Sequence, residues 1–529
     1  MCLQKVFYNM NSKLRLEKYL QQYFNLSTFR KGQREIIEDV LSGKDVLGIL
    51  PTGSGKSLCY QLPAKLLPGL TIVVSPLISL MIDQVKQLKA QNFKEVVALN
   101  SFMSYSEKQH VYNNLSAYKL IYVSPEILQQ PMLLQQLKQT SISLFVIDEA
   151  HCISQWGHEF RPDYLRLNKL LTYFQHPPVL ALSATASKDV QSDIISSLER
   201  PQMKKHIYPM DRPNIVFDVK KVESDQDKIE KIQNILSSRH IPTIIYFSSR
   251  KETERVAQEL AHKLPNHRIS YYHGRMEQID RIHIQQQFMS GQLDIICCTS
   301  AFGMGINKHN VRLIIHFHFP SQLESFIQEI GRAGRDGETS VSLLFYCKSD
   351  ERLPQIFIEH ELPSEDQITY VFQQLHMLYS QNKQLPTDEA DIENIFNCQD
   401  SQWRFLYYQL EKNGIIKNNR IFLHGSMWKN IMRKIKRYRN DRIKLKENKL
   451  KRMVNWIHTD ECLRQALYKH FQNTFTTPSD ACCRSCGFVI DEWKPTQINV
   501  EEPDLKLSWK SKLKKLLLIG ESHETKRSY

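Results

Sequence analysis

FVIDEAHCISQWGHEFRPDY, residues 145–164, is the stretch on which the fold turns. It continues the run Leu144-Phe145-Val146-Ile147, four apolar residues without polar alternation, the pattern of a central parallel strand covered on both faces. Asp148 and Glu149 follow at its carboxyl end, where open α/β sheets gather their ligands. A hard cation such as Mg2+ takes oxygen ligands and keeps most of its waters, so one carboxylate can hold it. The other is then free to orient or deprotonate an attacking water. Behind the pair crowd His151, Gln155, Trp156, His158, Phe160, Arg161 and Tyr164. Alone, an acidic pair after a strand more often caps the next helix, so the rest of the chain decides its meaning.

Upstream, residues 46–50 (VLGIL) read as a strand, followed by Pro51-Thr52-Gly53-Ser54-Gly55-Lys56-Ser57 and a helical pattern. Strand, glycine turn, Lys-Ser and helix make a phosphate cradle, with backbone N–H groups and a helix N-terminus facing the anion. Lys56 would reach the β- and γ-phosphates and Ser57 would ligate Mg2+. Leu50 stands where the strict pattern has its first glycine, but Gly53 and Gly55 still supply the tight loop. Before it, Phe29, Arg30 and Gln33 precede another helical pattern; the Gln33 amide can pair with an adenine edge, and Phe29 can stack nearby. Further strands end in short polar motifs, Ser75-Pro76, Ser124-Pro125 and Ser183-Ala184-Thr185. Their alternation with helical segments predicts a doubly wound parallel sheet over residues 1–207.

The bulk composition narrows the partners. A formal charge of +14 over 529 residues favours a polyanion or a membrane surface. No apolar run reaches the roughly eighteen residues of a membrane span. The N-terminus lacks an apolar core and cleavage site for secretion. Most of the eleven cysteines stand singly, as in a reducing compartment.

Taken in order, TGSGKS, DEAH, SAT and QEIGRAGRDG resemble a superfamily-2 helicase, and FRKGQREII with DEAHCISQWGHEFRPDY resembles the RecQ family of DNA helicases. The resemblance implies two tandem RecA-like domains, residues 1–207 and 208–350, with ATP and Mg2+ between them. It assigns Phe29, Arg30, Gln33, Thr52, Gly53, Ser54, Gly55, Lys56, Ser57 and Asp148 to nucleotide and metal, and Lys56, Asp148, Glu149, His151, Arg332 and Arg335 to hydrolysis. Arg332 and Arg335, three apart on an expected helix, would face one side as arginine fingers. Ser75, Pro76, Gln155, Trp156, His158, Phe160, Arg161, Tyr164, Ser183, Thr185, Thr299 and Gly303 would bind DNA or couple it to hydrolysis. Asn307 stands where the family has Asp. The family further implies 3′-to-5′ unwinding of tailed duplexes along single-stranded DNA, in the bacterial cytoplasm near the nucleoid, in repair and recombination beside single-stranded-DNA-binding and repair proteins. Two rival readings are an ATP-switched DNA-binding regulator that does not unwind, and an RNA helicase.

After residue 350 the charge divides. Residues 351–410 hold 3 basic against 10 acidic residues; residues 411–490 hold 18 against 6. An acidic accessory region, 351–428, reads as helix, turn, helix and hairpin, a winged-helix-like order. A basic helical region, 429–490, offers a phosphate-contacting face. Within it Cys462, Cys482, Cys483 and Cys486 have a spacing that can close on structural Zn2+. The whole is therefore expected to be α/β, two doubly wound sheets plus a mainly α, zinc-binding C-terminal region. The family's usual winged helix and further helical domain after the zinc element are expected to be absent. A basic amphipathic tail occupies 491–529.

Overall fold

The computed structural model describes residues 12–495 other than 155–160, 304–307, 387, 418, 423–426 and 479. Gln155, Trp156, His158, Phe160, Asn307 and the expected tail helix lie outside the described residues.

The apolar run before the acid pair becomes β5 (Ile142–Ile147), the middle strand of a seven-stranded parallel sheet. The sheet runs β3 (Val96–Leu99), β4 (Leu120–Val123), β2 (Leu70–Val74), β5, β6 (Val179–Ser183), β1 (Val46–Ile49) and β7 (Lys204–Ile207). Residues 143–147 are all buried, which explains the missing polar alternation: helices cover both faces. β1 lies between β6 and β7, so the phosphate loop leaves the sheet beside the Ser183 end of β6 and two strands from Asp148.

A second parallel sheet of six strands follows, in the order β10 (Ile269–Tyr272), β11 (Ile295–Cys298), β9 (Thr243–Tyr246), β12 (Leu313–His316), β13 (Ser340–Tyr346) and β8 (Ile215–Lys221). The expected pair of doubly wound sheets is present. Five strands, β3, β7, β8, β12 and β13, go beyond those legible in the sequence: residues 204–207, for one, read KKHI, and only pairing with β1 makes them a strand.

The C-terminal region starts with helix Arg352–Glu361. Helices Glu365–Ser380, Glu389–Phe396 and Asp400–Lys412 and the antiparallel pair β14 (Ile416–Lys417) and β15 (Arg420–Ile421) then give the expected helix–turn–helix–wing order. Its core holds Leu375, Phe396, Trp403, Leu406 and Ile421, with Phe396 and Trp403 stacked at 4.4 Å. One 31-residue helix, Met427–Ile457, serves two bodies. Ile435 closes the core of the inserted unit, while Leu450, Met453, Trp456 and Ile457 join the α/β core beside Phe326. The expected boundary between the accessory and basic regions at residue 428 therefore falls in the first turn of a continuous helix and marks no break in it. Among the described residues no helix is long and apolar enough to cross a membrane.

Candidate functional site

Residues 51–57 form a tight loop between β1 and helix Leu58–Leu66. Gly53 and Gly55 take φ of +83° and +75°, values that only glycine adopts without strain. A Cβ on Gly55 would lie 2.7 Å from Gln33 Nε2, and one on Gly53 would lie 3.3 Å from Arg335 Cγ. The loop is held from outside: Arg30 donates to the Gly53 carbonyl at 2.5 Å, and Gln33 to those of Ser54 and Gly55 at 2.8 and 2.9 Å. Gln33 Oε1 meanwhile accepts from the Arg30 N–H at 2.9 Å. In this structure Gln33 thus grips the phosphate loop and leaves no amide edge open to adenine. Phe29 packs on the cluster of Leu16, Leu20 and Leu62. Thr52, Lys56 and Ser57 line the cleft, with Phe24, Leu26 and Gln61 as neighbours that sequence reasoning passed over.

Asp148 and Glu149 face this loop across the cleft. Asp148 Oδ1 accepts the Glu149 N–H at 3.0 Å, and Glu149 stands at φ +49°, a strained left-handed conformation for a non-glycine residue. Burial and the adjacent Glu149 push the Asp148 carboxyl up, against the pull of Lys56; a divalent cation would hold it ionised. His151 Nδ1 lies 2.9 Å from Ser183 Oγ and 3.4 Å from Glu149 Oε2. Burial, with Lys56 next in effect, lowers its pKa to about 3, so the imidazole is neutral at physiological pH. The Ser183 hydroxyl also joins the Thr185 backbone at 3.3 Å, so His151 links the acid pair to the end of β6.

Arg332 and Arg335 reach the same cleft from the second sheet, together with His309. They do not lie on a helix as expected. Helix Leu323–Ile330 stops at Gly331, and positive φ at Gly334 and Gly337 turns the chain back. Arg212 cages this turn, donating to the carbonyls of Gly331 at 3.0 Å, Ala333 at 2.7 Å and Gly334. Its Asp-Arg-Pro-Asn context reads as a plain connector, so sequence reasoning missed it. Arg332 packs under Gly303, where a Cβ would lie 2.8 Å from Nη2. Arg335 lies over Gly53. Burial, then Arg332 and Arg212, lower the Arg335 pKa to about 9. Crowded guanidiniums of this kind mark a place for an anion.

The residues expected to face DNA divide. Thr299 lies in a groove between the second sheet and the long helix, beside Ser248, Gln322, Arg442, Lys446 and Lys449. Lys446 and Lys449 pair with Glu361 and Glu324, so part of the helix's charge serves packing. Ser75, Pro76, Ser183, Thr185 and Gly303 are buried. Ser75 Oγ and Thr185 Oγ1 have no hydrogen-bond partner among the described residues. Arg161 is half-buried and donates its N–H to the Cys152 carbonyl at 3.0 Å. Tyr164 is 1% exposed, and its hydroxyl donates to the Asp148 carbonyl at 3.4 Å. It is a core residue beneath the acid pair and no stacking platform for a base.

The four cysteines converge. Sγ atoms of Cys462 and Cys482 are 3.5 Å apart, those of Cys483 and Cys486 3.6 Å, and those of Cys483 and Cys462 3.9 Å. A Zn–S bond of about 2.3 Å implies tetrahedral edges of about 3.8 Å, whereas a disulfide needs about 2.05 Å. The donor set fits a closed four-thiolate ion. The site is tied to β8: Phe217 donates its N–H to the Cys482 carbonyl at 3.2 Å, and Arg484 donates to the Val219 carbonyl at 2.6 Å.

Residues 30–193 match the DEAD/DEAH box helicase family, and residues 227–337 match the helicase conserved C-terminal domain. The chain is 41% identical over 510 residues to the probable ATP-dependent DNA helicase RecS of Bacillus subtilis, covering 96% of this chain and 98% of that protein. It is 42% identical over 352 residues to the ATP-dependent DNA helicase RecQ of Haemophilus influenzae, covering 66% of this chain but 56% of the relative. The chain thus spans about half the length of the RecQ relatives it matches. In fold it is similar to the DNA-bound DUF1998 helicase MrfA, at TM-score 0.55 and 19% identity, covering 80% of this chain and 64% of that one. It is also similar to the DEAD-box helicase Mss116 bound to single-stranded RNA, at TM-score 0.54 and 17% identity, covering 88% and 96%.

Proposed function

This chain belongs to the RecQ family of ATP-dependent DNA helicases, and from that premise we propose that it hydrolyses ATP between its two α/β domains to move 3′ to 5′ along single-stranded DNA and open duplexes. One observation carries the reading: a single cleft gathers Lys56, Asp148 and Glu149 from the first domain with Arg332 and Arg335 from the second.

The phosphate loop and the start of helix Leu58–Leu66 receive the phosphates, and Lys56 neutralises their outer charge. Ser57 and Asp148 would hold Mg2+, which when bound supplies charge neutralisation at the phosphates. Glu149 orients the attacking water and takes its proton. Neutral His151 reports the state of that centre to Ser183 and Thr185. Arg335, lying over Gly53, is the finger that meets the transferred charge, while Arg332 ties it to Gly303 and so to the Thr299 groove. Closure on phosphate then moves the two DNA-contacting faces relative to each other. Gln33, bonded here to the carbonyls of Ser54 and Gly55, would have to release them to pair with an adenine edge. Zn2+ in the four-cysteine site is structural, since four thiolates leave no open position. We assign the work to repair and recombination in the bacterial cytoplasm, alongside single-stranded-DNA-binding proteins. The bacterial relatives support that assignment.

The test is ATP-dependent strand separation on 3′-tailed DNA, 5′-tailed DNA and RNA duplexes, with Lys56→Ala and Glu149→Gln as controls. Opening of the 3′-tailed DNA alone is expected. An intact protein that hydrolyses ATP yet opens none of them would leave the regulator reading in its place. Trp156→Ala is expected to keep DNA affinity and lose DNA stimulation of hydrolysis.

A further inference from the structure

The inserted helix–turn–helix–wing unit turns its third helix inward. In such a unit the outer face of the third helix is the surface offered to a ligand. Here the outer face of Asp400–Lys412 carries Arg404, Tyr408 and Glu411, and the helix packs on Pro162–Arg166 of the first α/β domain. Arg166 pairs with Glu411, and its other nitrogen donates to Gln129 Oε1 at 3.0 Å. Gln129 in turn donates to Asp163 at 3.3 Å. Arg404 lies in the field of Glu126 and Asp163.

Two features make this contact a releasable one. First, the core of the inserted unit contains no residue of either sheet among the described residues. Second, the ion pair is only half-buried, its side chains 30% exposed for Arg166 and 38% for Glu411, so water and salt still compete for it. The contact also has an address. Arg166 is two residues from Tyr164, whose hydroxyl meets the carbonyl of Asp148. A continuous path therefore joins Glu411, Arg166, the turn Pro162–Arg166, Tyr164 and the acid pair.

We propose that the inserted unit restrains the hydrolytic centre: docked through Glu411 on Arg166, it holds the Pro162–Arg166 turn and Tyr164 beneath Asp148, and undocking lets the acid pair adjust for hydrolysis. Arg166 is thereby a positioning residue, acting through Tyr164. Docking and use of the outer face by another ligand exclude each other, because one face serves both. The proposal rests on the reading of Asp148 and Glu149 as the centre of an ATPase.

The experiment uses the full chain and compares Arg166→Glu, Glu411→Arg and the double exchange, measuring ATP hydrolysis without DNA and at saturating single-stranded DNA. Each single reversal is expected to raise the DNA-free rate roughly two- to fivefold, the scale of one partly exposed ion pair, and to narrow the ratio between the two rates. The double exchange restores both in part, because it rebuilds the pair with reversed sign but turns the attraction between position 166 and Asp163, 3.7 Å from Arg166, into repulsion. Hydrogen exchange in residues 400–412 rises in the single variants and falls back in the double. DNA-free rates that stay level in the single variants would overturn the proposal. So would a joint fall of both rates that the double exchange does not repair, since that marks a merely structural pair. Failure of the helicase reading is separable: the unaltered chain would then show no strand separation, while the DNA-free comparison still reports on the latch.

Discussion

Arg464 is a buried, heavily hydrogen-bonded side chain outside the cleft, and its removal tests how the C-terminal region is fastened to the motor. It is 2% exposed, and its partner Asp211 is 0% exposed at the side chain. It donates to Asp211 Oδ1 at 2.5 Å, to the Arg212 carbonyl at 2.9 Å and to the Ile215 carbonyl, and its guanidinium lies 5.0 Å from the Phe217 ring centre. Asp211 and Arg212, the latter the residue that cages the arginine turn, lie on the connector between the two sheets, and Ile215 opens β8. Arg464→Met keeps the stem and the contact with Phe217 but leaves Asp211 buried without its cation. Breaking a buried pair from one side costs about 3–5 kcal/mol. Asp211→Asn alone should cost less, and the double variant should fall short of the sum by about 2 kcal/mol, because the two changes remove one shared interaction. The loss should also depend on pH. Burial already raises the Asp211 carboxyl, and loss of Arg464 raises it further. A carboxyl whose folded pKa exceeds its unfolded one binds more protons when folded, so the deficit is largest at neutral pH and shrinks on acidification. Urea unfolding of the four proteins at neutral and mildly acidic pH is the assay. A deficit below about 1 kcal/mol, strict additivity, or a deficit that grows in acid would refute the reasoning.

Three other outcomes follow from the same structure. The purified chain should hold one zinc, and a chelator or Cys483→Ser should lower its unfolding temperature by releasing Phe217 and Val219 from the cysteine loop; a metal-free protein melting at the same temperature would end the zinc assignment. Asp39, whose burial is outweighed by Lys204, Lys44 and His206, has its pKa held down to about 2, so it contributes stability above pH 4 that is lost toward pH 2. Asp39→Asn should remove about 2 kcal/mol at neutral pH and flatten that acid limb, as followed by circular dichroism. Gly303→Ala should push Arg332 aside and cut ATP turnover about 10- to 100-fold with little change in ATP affinity, read by steady-state kinetics with a fluorescent nucleotide; equal loss of both would show that Arg332 acts in binding.

Much of the site was legible in the chain because it depends on local chemistry. A loop of Gly53 and Gly55 followed by Lys56 and Ser57 reads as a phosphate cradle wherever it sits, and four cysteines at that spacing read as a metal site. What local chemistry does not carry is burial. Tyr164, Ser183 and Thr185 read as groups that bind DNA or couple it to hydrolysis, and the fold buries all three around the acid pair. The arginine pair read as helical because FIQEIGRAGR has helical spacing; the glycines and Arg212 from 119 residues away made it a turn.

The sequence by itself determined the two parallel sheets and the chemistry at their strand ends, because unbroken apolar runs can be satisfied only by burial on both faces. It also determined that a helix–turn–helix–wing unit precedes the cysteines, since capping and periodicity are local. Only the tertiary structure decided which face of that unit is covered, that Arg335 lies over Gly53, and that Arg464 fastens the zinc element to the connector. These contacts join residues far apart in the chain. The Arg166–Glu411 and Arg464–Asp211 contacts draw on paired charges and the Arg335 contact on packing against Gly53, and no stretch of sequence carries both partners.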